Sequence, residues 1–227
     1  MEINPTSRIA ARAIDNDASI DTRRLLKQVA RRLIAENGVR NVTVRQIAEA
    51  ARQKNRGVVA YYFRTKENLL AEILIEGAAR IESRREVYLA ELEATGGPST
   101  LRAAVDAIVR PSAAFSDEDV EYGKYFNRFL MQLSLSNPVL VDQILQNGGN
   151  KAYQRCLEHL RRLLSDFSRP QQNRRFLFLG NYVSTLLAQR ETMLLDAVQS
   201  HPTWASPTTL DDIVCTAAAL LAAPTSD

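Results

Sequence analysis

Gln53, Lys54, Asn55 and Arg56 stand in a row between two apolar segments. Side chains of these types read the major-groove edges of DNA: Arg and Lys donate to guanine O6 and N7, and Gln and Asn pair with adenine N6 and N7. Thr43 and Lys66 bracket the same stretch, each where a helix is expected to start. Free backbone N–H groups at such starts attract phosphate. Arg45, Tyr61 and Tyr62 lie in the same segment and are counted with it as candidate DNA-binding residues. The charge distribution agrees: residues 1–66 carry 14 Lys and Arg against 6 Asp and Glu, and the remainder 15 against 20. A basic head on an acidic body is the asymmetry expected when one end meets a polyanion.

Such residues need a rigid frame, and the apolar periodicity supplies helices. Leu25, Leu26, Val29, Ala30, Leu33 and Ile34 recur at spacings of three and four, with Asp21 placed to cap the start and Gly38 to close the end in a left-handed turn. Thr43 precedes a short helix with Val44, Ile47, Ala48 and Ala51 on one face. The small Ala48 allows a second helix, with Val58 and Val59, to cross closely. That second helix is expected to begin with Gln53 to Arg56, the end from which a recognition helix makes its base contacts. Thr65 and Asn68 resemble a capping box, with Asn in place of Glu or Gln, at the head of a helix over about 66–93.

Further on, Ser99 is expected to cap a helix towards Phe115 that Pro111 kinks or shortens. Ser116-Asp117-Glu118 should open the next. Asn137-Pro138 should open another to about residue 166, weakened at Gly148-Gly149. Pro170 and then Pro207 to Thr209 begin the last two. No strand alternation or fixed-period repeat is visible. The fold expected is all-α with about nine helices, in an N-terminal domain over 18–65 and a helical domain over 66–227.

Residues about 22–74 resemble the DNA-binding domain of the TetR (tetracycline repressor-like) transcription regulators. The resemblance is carried by Glu36-Asn37-Gly38, by Thr43 to Ala51 in the order T-x-x-x-I-A-x-x-A, and by Gly57 to Leu70, which reads GVVAYYFRTKENLL. The sequence departs from the family pattern in the turn. Arg52-Gln53-Lys54-Asn55 replaces the usual A-G-V-S and is one residue longer; Ala60 stands in place of a phosphate-touching Tyr, and Tyr62 in place of a frequent His. Phosphate contact therefore does not carry over to position 60, and Tyr61 or Tyr62 is left to supply a hydroxyl. The resemblance implies phosphate contacts by Thr43 and Lys66. It also implies a homodimer on a palindromic double-stranded operator, a C-terminal domain that binds a small effector, and repression released by that effector. Phe63 is expected in the core. Arg23, Arg24, Arg31 and Arg32 are expected on a solvated face, with Arg8 and Arg12 in a basic arm.

Two late apolar stripes, one through Phe176, Leu179, Val183, Leu186, Met193 and Ala197 and one through Leu210, Ile213, Val214, Ala217, Leu220 and Leu221, would serve either a four-helix dimer interface or an intrachain core. The resemblance tilts this to the dimer. Phe115, Tyr122, Phe126, Phe129 and Tyr182 could line a pocket for a lipophilic or aromatic effector, or simply pack the core. Arg128 or Arg190 would pair either with an effector carboxylate or with a neighbouring acid. No catalytic residue, metal site or cofactor is expected. Cys156, His159, His201 and Cys215 lack the compact spacing of zinc modules, and Asp117-Glu118-Asp119 reads as acids at a helix start. Two cysteines, a polar opening segment and no long apolar run fit a cytoplasmic protein with no membrane partner. The competing class is an all-α interaction module, or a carrier of lipophilic small molecules with no DNA role.

Overall fold

A computed structural model describes the backbone of residues 5–146, 150–195 and 201–224, and side chains from residue 19 onward. Within these residues the chain is all-helical: α1 (Pro5–Asn37), α2 (Val44–Ala50), α3 (Val58–Phe63), α4 (Lys66–Ala94), α5 (Leu101–Glu118), α6 (Phe126–Ser136), α7 (Pro138–Gln146), α8 (Lys151–Leu163), α9 (Arg169–Leu195), α10 (Pro202–Ala205) and α11 (Thr209–Ala222). The two helices beyond the nine expected come from the division of 138–166 into α7 and α8 and from the four-residue α10. No described helix is long and apolar enough to cross a membrane. Arg8, Arg12, Gly148, Gly149, Ala197 and Val198 lie outside the residues described at side-chain or backbone level.

The chain forms two compact units, Met1–Ile73 and Leu74–Asp227. In the first, Leu26, Ala30, Ile34, Ile47, Ala48, Val59, Phe63 and Leu69 are buried to within a few per cent. Gly38 takes φ 82° and donates its N–H to Ile34, closing α1 as expected. Asp21 is no cap, because α1 already starts at Pro5. It pairs instead with Arg24 one helical turn on. Thr43 accepts from Gln46 N–H while the Gln46 side chain takes the Thr43 N–H, a full capping box.

In the second unit, α5 packs on α8 and α11, and α9 on α6 and α11. Their shared core includes Ala104, Val105, Ala107, Cys156, Leu160, Leu179, Val183, Val214, Ala217 and Leu221. Pro111 sits inside α5 without ending it. It removes one N–H from the ladder, a loss outweighed by the buried face on either side. Thr100, rather than Ser99, caps that helix by accepting from Ala103 N–H. Asp117 and Glu118 close α5 instead of opening the next helix, so the dipole account of these acids is overturned. Asp117 pairs with Arg190, and Asp119 with Arg80 and Arg84. Asn137 caps α7 through Leu140 N–H, with Pro138 its first residue.

Candidate nucleic-acid interface

In the first unit, α2 and α3 pack on each other, with α2 also against α1. The segment between α2 and α3 is not helical, so Gln53, Lys54, Asn55 and Arg56 belong to the turn and not to the start of α3. Two local choices explain it. Arg52 adopts a left-handed φ of 54°. Asn55 Oδ1 accepts the Gly57 N–H at 2.8 Å, an Asx turn that competes with helix at this point. The Gln53 amide bends back to the Ala51 carbonyl at 3.2 Å. Lys54, Asn55 and Arg56 are exposed, and Gln53 is half-buried.

The other site residues fall into two kinds. Thr43, Arg45 and Tyr61 face solvent; Tyr61, at 79% exposure, is the most open of the large hydrophobic side chains of its unit among the described residues. Arg45 pairs loosely with Glu49 at 3.3 Å, and Tyr61 meets half-buried Tyr62 edge-on with ring centroids 4.9 Å apart. Lys66 behaves differently. Its ammonium donates to the Val39 and Val42 carbonyls, bracing the α1–α2 turn, and burial pushes its pKa below the usual lysine range. An ammonium has three donors, so one remains beyond these two carbonyls. Phe63 is buried, as expected for the core.

The arginines of α1 correct the sequence reading. Arg24 and Arg32 are exposed. Arg31 is buried at 5% exposure. Arg23 is half-buried and bonded to Glu72, to the Tyr62 carbonyl and over the Phe63 ring. Sequence periodicity missed Arg23 because its partners lie 39 and 49 residues away.

Residues 26–73 match the family model described as bacterial regulatory proteins, tetR family. They form a tetR-family helix-turn-helix domain. The chain is a DNA-binding transcription regulator. No curated protein matches it. The crystal structure of RolR in complex with resorcinol is 21% identical and is covered over 98% of its length by 93% of this chain, with a TM-score of 0.44. Likeness of that order fixes neither the fold nor the ligand of this chain. The tetR-family domain thus offers solvent a cationic turn, Lys54 to Arg56, and a threonine-capped start of α2, while Leu26, Ile34, Ile47, Val59 and Phe63 are spent on its own core.

In the second unit, Phe115, Phe126 and Phe129 are each within 1% of complete burial, with ring centroids 5.2 and 6.0 Å apart for successive pairs. Gly77 on α4 makes room for them: a Cβ there would stand 1.9 Å from Phe126 Cε2. Tyr122 lies under the Arg80 guanidinium at 3.7 Å. Tyr182 belongs to another neighbourhood, donating its hydroxyl to Thr216 Oγ1 of α11. Arg190 meets Asp117, a neighbouring acid, and Arg128 lies over Tyr125.

Sequence reading also missed Glu191. It is buried at 4% exposure and accepts from Ser116 Oγ and from the Arg128 backbone N–H at the start of α6, each at 2.9 Å. Burial raises its pKa, opposed by those hydrogen bonds. No signal in the sequence marks it, since both partners are more than sixty residues distant. His159 bonds to Glu93 and Arg162, and Cys156 is buried with its thiol pushed up to about 11. No metal-holding cluster occurs among the described residues.

Proposed function

We propose that this regulator is a ligand-responsive repressor that binds a palindromic operator as a homodimer. Residues 18–65 engage DNA and residues 66–227 carry the effector and dimer surfaces. The observation that carries this reading is the exposed Lys54, Asn55 and Arg56 on a turn between two helices whose inner faces, Ile47 and Ala48 on one and Val58, Val59 and Phe63 on the other, are buried. Lys54, Asn55 and Arg56 read bases, with Gln53 at the edge of the turn. Thr43, Arg45, Lys66 and the hydroxyl of Tyr61 or Tyr62 fix the DNA backbone.

The α9 and α11 stripes are spent largely inside the protomer: Phe176, Leu179, Val183, Val214 and Ala217 are buried in the intrachain core, with Leu186, Leu210 and Leu220 half-buried against it. The faces left outside on α9 and α11 are a better support for association. Leu177 and Phe178 are 64% and 55% exposed, and Cys215, Thr216 and Ala219 are exposed on the outer side of α11. Two-fold pairing of these faces gives an isologous interface. A lipophilic or aromatic effector engages the region of Phe115, Tyr122, Phe126 and Phe129, from which Tyr182 is now excluded. Its binding opposes operator binding, and reciprocity requires the operator to weaken the effector by the same factor.

Selection of bound sequences from random duplex DNA tests the reading directly. It should return a palindrome whose half-sites are one helical turn apart, about 34 Å. Affinity should fall steeply with salt, because neutralised phosphates release counterions. Arg56→Ala should then relax preference at one base position per half-site, at a cost of about 1–3 kcal/mol. A carrier or interaction module would show neither the slope nor the palindrome.

A further inference from the structure

The last four carbonyls of any helix lack partners within it, and for the six-residue α3 that is most of the element. A helix of this length has no stability of its own in water. What holds it is visible at its C-terminal end. The Ala60 carbonyl takes the Arg64 N–H at 3.0 Å. The Tyr62 carbonyl takes Arg23 Nη1 from α1 at 2.9 Å. The Phe63 carbonyl takes the Thr65 N–H at 2.8 Å and Asn68 Nδ2 from α4 at 3.0 Å. Two side chains from the flanking helices thus hold the short helix by its own backbone.

The chemistry of each is specific. Arg23 spends one arm of its fork on Tyr62 and the rest on Glu72, and lays its face over Phe63 with the guanidinium carbon 4.7 Å from the ring centroid. A lysine, with a single ammonium on a flexible stem, cannot make all three contacts at once. Its positive charge also stands at the negative end of the helix dipole. Asn68 occupies the place of the capping-box Glu or Gln. Its backbone N–H still donates to the Thr65 hydroxyl oxygen at 3.1 Å, which frees its amide to donate to the Phe63 carbonyl. A carboxylate at this position has no proton to give.

We propose that Arg23 and Asn68 are positioning residues for base recognition, setting the orientation of α3 and of the Lys54–Arg56 turn that leads into it. This rests on the assignment of that turn to base reading. Phosphate contacts fix a protein on any duplex, whereas base contacts require one orientation. Loosening the seat of α3 therefore costs sequence discrimination and leaves non-specific binding in place, since the latter needs only charge near phosphate.

The test compares affinity for a duplex that the wild-type protein selects from random sequence with affinity for the same duplex with shuffled half-sites, across a salt series. The variants are Asn68→Ala, Arg23→Lys and the charge-neutral pair Arg23→Met/Glu72→Met. The expected result is a selected-to-shuffled ratio lowered about tenfold in Asn68→Ala and in the double variant, with shuffled-duplex affinity and salt slope unchanged. Arg23→Lys should fall nearly as far, despite keeping the charge. Because Asn68 is exposed and its cap contact uses backbone, Asn68→Ala stays folded even if the double variant does not. Full retention of the ratio in Asn68→Ala and Arg23→Lys overturns the proposal. So does an equal loss of affinity for both duplexes, which would mark a merely structural role. If the wild-type protein preferred no sequence, base reading itself would fail, and the positioning role with it.

Discussion

The two units hold their helices by different means. In the first, short helices are tied down through backbone groups: Lys66 holds the Val39 and Val42 carbonyls, Arg23 and Asn68 hold the end of α3, and Asn55 holds the Gly57 N–H. In the second, long helices bury alanine- and leucine-rich faces on one another, and ion pairs join their side chains. Arg110 joins Asp106 and Asp211, and Arg155 joins Glu86 and Glu93. Backbone ties are added to those faces: Glu191 and Glu82 accept N–H groups at helix starts, Arg175 donates to the Leu220 and Leu221 carbonyls at the end of α11, and Gln172 donates to the Leu164 and Phe167 carbonyls after α8. A bond to a backbone atom needs one residue type at one spacing, whereas a packed face needs only apolar volume at helical period. The first kind of construction leaves a motif where the tie is local, as between Thr43 and Gln46. The second does not.

The sharpest way to break this comparison is a buried charge in the second unit. Val214 is 1% exposed, so Val214→Glu should cost on the order of 4 kcal/mol or more and abolish the fold of that unit, read by circular dichroism and hydrogen exchange. Phe178→Glu on the outer face of α9 should leave helicity intact and yield a folded monomer in sedimentation. A Val214→Glu protein that stayed folded would mean that α11 does not pack in the protomer as described. A Phe178→Glu protein that stayed dimeric would move the interface elsewhere.

A smaller effect tests the backbone ties. Lys66→Met keeps the stem but leaves the Val39 and Val42 carbonyls without this donor. It should destabilise the first unit by about 1–2 kcal/mol, measured by exchange of the amides of α1 and α2. If Lys66 only touched DNA, its loss would lower the salt slope and leave stability unchanged.

The smallest expected effect concerns Glu191. Burial raises its pKa in the folded state, so folding favours its protonated form. Its contribution to stability is full below the ordinary carboxylate range and is lost as pH rises through the raised folded value. Glu191→Gln keeps one acceptor for the Arg128 N–H, and its amide NH2 can donate to the Ser116 hydroxyl oxygen in place of accepting from it. Relative to wild type it should therefore gain stability as pH rises from about 4 to 7, seen as diverging urea midpoints. Parallel midpoints over that interval would show that the two hydrogen bonds offset burial completely.

The sequence by itself determined the all-helical class, the caps at Gly38 and Thr43, and the stretch of residues on which the family resemblance rests. Each of these depends on neighbours within about four positions, so spacing along the chain is enough to see them. The same local rule misplaced Gln53 to Arg56 within α3, because the competition between an Asx turn and a helix is settled by the placement of Gly57 and the packing of Val58 and Val59. Only the tertiary structure decided the rest. It turned the Arg23 of a supposedly solvated face into a clasp on α3, since that guanidinium finds its partners on α3 and α4. It buried the α9 and α11 stripes within the protomer, leaving Leu177 and Phe178 outside, because an apolar stripe specifies that it must be covered and not by what. It also set Glu191 at the start of α6, where one carboxylate answers N–H groups from a helix that the sequence places far away.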